Sequence, residues 1–84
     1  EMITYIKNWL VARRRRLERE AFARGRAWAR YALTSGEYNA EALLAVSEPS
    51  FDKDYTANAF DRGVVSVADD ALSRHGENLY DRSH

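Results

Sequence analysis

Eighty-four residues set one domain as the ceiling, and the absence of cysteine excludes a disulfide framework or a thiolate metal site. Hydrophobic residues make up 45% of the chain and aromatics 12%, which excludes a disordered, purely solvated segment. The formal charge is zero, yet residues 1–34 carry nine basic groups against three acidic ones and residues 35–84 carry four against ten, so +6 stands against −6.

A chain of this length buries only roughly 60–65% of its unfolded surface, and oligomerisation is a common supplement where disulfides and metals are missing. Residues 1–84 read as a single small domain. Glu1 ahead of Met2 and the tail Arg82-Ser83-His84 read as remnants of expression, so His84 is given no role. Neither a cleavable leader nor an apolar run of about 18 residues is present, and a cytoplasmic protein is expected. The stretch "MITYIKNWLV" is too short to span a bilayer and contains Lys7.

Residues 2–33 lack proline and are rich in Ala, Arg, Glu and Leu, which predicts one long helix or two nearly continuous ones. Met2, Ile3, Tyr5, Ile6, Trp9 and Leu10 share a sector roughly 160° wide. Leu17, Ala21, Gly25, Trp28 and Ala32 form a second stripe, turned from the first by about 100°. Arg13, Arg14, Arg15 and Arg16 lie between the stripes and point nearly all round. One flat neighbour cannot cover both stripes, so either the helix bends near the arginines or the stripes meet different partners.

"TSGE" at 34–37 is a stop signal, with Gly36 suited to the left-handed position after a helix. Asn39 is a good N-cap for a short helix at about 40–47. Pro49 separates it from a third helix, expected over about 50–75, with Ser50, Asp52 and Asp54 at its start and Gly76 as its terminator. Phe60, Val64, Val67, Ala68 and Ala71 share a face of that helix, and "ENLYDRSH" reads as a frayed tail. The expected fold is all-α: an antiparallel helical hairpin of two long helices (about 2–33 and 50–75) with a short bridging helix (about 40–47).

Ala-Phe-x-Arg-Gly occurs twice, at 21–25 and 59–63. A mid-helix glycine costs roughly 0.5–1 kcal/mol relative to alanine, so a packing reason is expected for each. Phe22, Gly25, Trp28, Phe60, Gly63 and Val67 are therefore candidates for a helix crossing, with the basic first helix beside the acidic third. A binding feature shared by Arg24 and Arg62 is the alternative.

No catalytic residue, metal ligand set or cofactor site is expected. Ser73, His75 and Asp70 assemble a triad only on paper, because they lie within about one helical turn and do not converge. His75 at a helix end is better read as a partner of the helix dipole. Asp52 with Asp54, and Asp69 with Asp70, are cap or solvated acids, and "DKDYTANAFD" lacks the glycine and terminal Glu of a calcium loop. Among the basic residues, Arg13–Arg16 with Arg19 read first as a solvated face ion-paired to the acidic half, and second as a phosphate-binding surface. A membrane-surface role is disfavoured by the shortness of the apolar sector.

The function expected is that of a small, homodimeric, non-enzymatic protein-binding module: an adaptor, regulator or inhibitor of a partner protein, of a size common among phage and mobile-element proteins. Met2, Ile3, Ile6, Trp9 and Leu10 are the expected interface, with Trp9 as anchor. Nucleic-acid binding through the arginines is the alternative. No small-molecule substrate is expected.

Overall fold

The proline-free stretch Met2–Ser35 forms one unbroken helix, α1, in the computed structural model, which describes the backbone of residues 2–82 and the side chains of residues 2–74. α1 does not break at the arginines. It stops at Gly36, whose φ of 80° lies in the left-handed region, and whose N–H donates to the Leu33 carbonyl. A short helix, α2 (Ala40–Val46), follows; the Asn39 carboxamide oxygen caps it by accepting from the Ala42 N–H at 2.7 Å. The third helix, α3 (Tyr55–Arg82), completes an all-α chain, and no strand occurs among the described residues.

Two boundaries of α3 differ from expectation. Residues 50–54 form a turn rather than its first turns. The Asn58 side chain holds that turn, accepting from the Ser50 N–H at 3.0 Å and donating to the Ser50 carbonyl at 2.8 Å. Lys53 adds a bond to the Glu48 carbonyl and an ion pair to Asp61, at 2.8 and 2.7 Å. Asp54 is the cap, since its carbonyl accepts the first helical bond from the Asn58 N–H. At the other end the helix runs through Gly76 to Arg82, so neither the expected terminator nor a frayed tail from residue 77 is observed. Glycine within a helix is only modestly unfavourable, and no proline follows to stop the chain.

α1 and α3 pack together with the short helix between them in sequence, which is the long–short–long arrangement expected. Their relative sense is parallel, not antiparallel. The Arg14 guanidinium lies over the Tyr55 ring at 4.7 Å. Glu18 meets Arg62, Gly25 meets Phe60 and Arg26 donates to Ser66. Arg30 and Leu33 line one depression with Asp70, Ala71 and Arg74. Contacts thus advance along both helices in the same direction, at an offset near the 38 residues that separate the two pentads. At 1.5 Å per residue that offset carries Met2 and Arg82 about 63 Å apart along the shared axis, which matches the longest dimension of 63 Å.

The physical reason is the connection. Residues 36–54 are too many for the tight link that makes antiparallel neighbours. α2 spans roughly 10 Å, and the eight residues after it reach up to about 26 Å more. Together they carry the chain back down the length of α1 before α3 begins. The path is therefore up, down and up again.

The core is narrow. Ala29, Ala32, Leu43, Val64, Val67 and Ala68 are buried together, with Leu33, Tyr38, Ala40, Leu44 and Phe60 packed against them. Leu43 and Val64 are the largest wholly buried side chains. α2 delivers Leu43 between the two long helices, where it substitutes for the large side chains that α1 lacks on its buried face.

Two outcomes are expected. Leu43→Ala should cost about 2–5 kcal/mol, because the surrounding alanines cannot collapse to refill the space; chemical denaturation followed by circular dichroism measures it. Gly25→Ala and Gly63→Ala should each destabilise by about 1–3 kcal/mol, the opposite sign to an ordinary helical glycine. Unchanged or raised stability in that pair would remove the close crossing described below.

Candidate functional site

The pentads meet each other. A Cβ placed on Gly25 would lie 2.9 Å from the Phe60 carbonyl carbon and closer still to its oxygen. One placed on Gly63 would meet the Phe22 carbonyl in the same way, with the Arg26 nitrogen at 3.0 Å. The reciprocity follows from two matching pentads lying level in parallel helices, related by a local two-fold axis along the bundle. Ala21 and Ala59 are both buried beside the glycines, and Phe22 and Phe60 are half-buried. Trp28 covers the crossing, its ring centroid 6.1 Å from Phe60 and 5.6 Å from Tyr38. Val67 belongs to the core. All six crossing residues thus lie in or against the seam, and the crossing is scaffold rather than binding surface. Arg24 and Arg62 do not converge: Arg62 is drawn to Glu18 at 3.9 Å, and Arg24 projects from α1 about 120° away from Glu18.

Below the crossing α1 continues alone. By the register of the pair, α3 begins level with about residue 17 of α1. Residues 2–16 form an arm on which every residue is exposed. Met2, Ile3, Tyr5, Ile6, Trp9 and Leu10 are between 49% and 81% exposed. The α1 residues buried against α3 and α2 are Ala21, Gly25, Ala29 and Ala32. The apolar stripe of the arm is turned from that seam by roughly 115° at helical spacing. The connection 47–54 lies at the base of the arm. There Arg14, Pro49, Ser50, Phe51, Lys53, Tyr55 and Asn58 line an open depression of about 700 Å³, and the Phe51 side chain is fully exposed. Composition gave Phe51 no distinguishing pattern; only the path of the connection brings it to the arm.

The arginines divide by role. Arg14 bonds Glu18 at 2.8 Å and covers Tyr55, tying the arm to the start of α3. Arg13 lies over the Trp9 ring at 5.7 Å. Arg15, Arg16 and Arg19 have no carboxylate within 4.0 Å among the described residues. The expected pairing of basic α1 with acidic α3 is not made there. Among the described residues the one α1–α3 ion pair has reversed polarity, base on α3 and acid on α1. Parallel packing explains this: Asp69 and Asp70 lie level with residues 31–32, about 22 Å beyond Arg16, whereas an antiparallel pair would have set them beside Arg15 and Arg16. Both aspartates are exposed.

No group of three or more His, Asp or Glu side chains among the described residues is placed to hold a metal ion. Ser73 and Asp70 are exposed on α3, and the His75 and His84 side chains lie outside the described residues. No helix among the described residues is long and apolar enough to cross a membrane. Comparison with protein-family models, curated sequences and solved structures finds no match to this chain.

Because the arm touches none of the core, Trp9→Ala and Ile6→Ser should change unfolding free energy by no more than about 0.5 kcal/mol, measured by denaturant titration at a protein concentration low enough to exclude association. A loss comparable to Leu43→Ala would mean that the arm is packed in the folded monomer.

Proposed function

We propose that this chain is a non-enzymatic protein-binding module that works through the arm of α1. The observation that carries the reading is the exposed apolar stripe of residues 2–10, which points away from the seam that α1 uses to fold. A contiguous apolar patch of this size on a small helical protein marks a surface that another surface covers. Trp9, its largest side chain, is the anchor. The arginines above it steer association and the orientation of the docked partner, and act on the rate of encounter more than on residence time. Adaptors, regulators and inhibitors share this design, and the body formed by α1, α2 and α3 is the rigid mount.

The test is affinity capture with wild-type protein and Trp9→Ala in parallel, with nuclease present. Trp9-dependent recovery of a stoichiometric protein supports the reading; identical recovery by both variants ends it.

Nucleic-acid binding is a second reading, favoured by Arg15, Arg16 and Arg19 standing on one exposed segment without carboxylate partners among the described residues. It requires binding that weakens steeply between low and moderate salt. Replacing Arg13, Arg15, Arg16 and Arg19 with glutamine should then abolish binding. An apolar interface centred on Trp9 should change little over the same salt range.

A further inference from the structure

The six side chains of the arm's apolar stripe, at their observed exposures, present roughly 700 Å² of surface. A standard protein interface takes about 800 Å² from each partner. One arm therefore offers at most about what one side of a specific interface buries, in a helix-shaped strip about two and a half turns long. A second strip of the same shape and chemistry is its simplest complement.

We infer that the occupant of the arm is the arm of a second copy of this chain, paired antiparallel about a two-fold axis at Ile6. This rests on the protein-binding reading above and names the partner. Ile6 is the midpoint of the stripe, so an axis there sets Met2 against Leu10 of the other copy and Ile3 against Trp9, with Ile6 facing itself. These three pairings are apolar, and Tyr5 falls level with Lys7 of the other copy.

Charge selects the antiparallel sense. Parallel arms would stack Arg13–Arg16 of both copies into one cluster of eight guanidinium groups. The antiparallel arrangement separates the two clusters by about 25 Å, more than two Debye lengths at physiological ionic strength. The body also permits it. Met2 of the incoming arm lies level with Leu10, about one turn before Arg14, where the connection 47–54 crowds α1. The stripe is turned from the α3-facing seam, so two bodies project from opposite ends of the paired arms without collision.

The chain contains no cysteine, so single cysteines report geometry directly. Full-length Met2→Cys, Ile6→Cys and Leu10→Cys are oxidised alone and as an equimolar mixture of Met2→Cys with Leu10→Cys, beside sedimentation equilibrium of the unmodified chain and of Trp9→Ser. The expected result is a concentration-dependent dimer, weakened at least about tenfold by Trp9→Ser with the helical signal intact. Ile6→Cys should cross-link to itself and the mixture should give the mixed disulfide. Met2→Cys alone should not cross-link, because its two copies would lie about 12 Å apart along the axis, beyond disulfide reach. Efficient cross-linking of Met2→Cys alone, a dimer indifferent to Trp9→Ser, or a chain monomeric at about 100 μM overturns the inference. A monomeric chain that still captures another protein through Trp9 overturns the second copy while leaving the binding reading standing; a monomeric chain with no Trp9-dependent capture ends both.

Discussion

The structure depends on backbone meeting backbone at Gly25 and Gly63. Each glycine accommodates the carbonyl of the residue that begins the opposite contact, and no side chain, not even a methyl group, fits in either place. So close an approach lets Cα–H groups reach facing carbonyls and brings long rows of small side chains into van der Waals contact. The intrinsic cost of two helical glycines is thereby offset by contact along the seam. With so little bulk between the helices, few large residues are needed to complete the core, and α2 supplies one of them in Leu43.

That economy has a structural corollary. α1 uses only its upper half for folding, where Ala21, Gly25, Ala29 and Ala32 lie at helical spacing. The lower half is a continuation of the same helix whose apolar residues have moved to another side. A radius of gyration of 17.0 Å, against about 12 Å for a compact chain of this length, reflects the projection. The molecule is a narrow body with a long helical extension, and among the described residues the extension carries most of the exposed large apolar side chains.

Local chemistry was legible in the sequence. Gly36 ends a helix because its φ is positive, Asn39 caps one because its side chain reaches the Ala42 N–H, and the two rotated stripes of α1 are separate in space as their spacing implied. Direction was not legible. Two matching pentads make a symmetrical crossing whether the helices run together or opposed, so the motif carries no information about sense. The deciding quantity is the length of connection 36–54 and the way Asn58 and Lys53 fold it against α3, which are contacts between residues far from any repeated pattern. The expectation of ion pairs between the arginines and the acidic half belongs to the antiparallel sense as well. The start of α3 differs from its sequence pattern for a related reason: Ser50 and Asp52 have cap chemistry, but Ser50 is held by Asn58 in a turn, and Asp54 takes the cap.

The parallel sense of α1 and α3 has a mechanical meaning. Met2 and Arg82 stand at opposite poles of a 63 Å rod. Tension between those points would slide one long helix along the other, so the seam would be loaded in shear and its contacts would share the force at once. An antiparallel hairpin pulled at its two ends would open like a zipper, one contact at a time. Interlocked carbonyls at Gly25 and Gly63 are well placed to resist sliding, because each blocks the other's path along the axis. The same fold that holds the arm out into solvent is therefore suited to keep its length when something pulls on it.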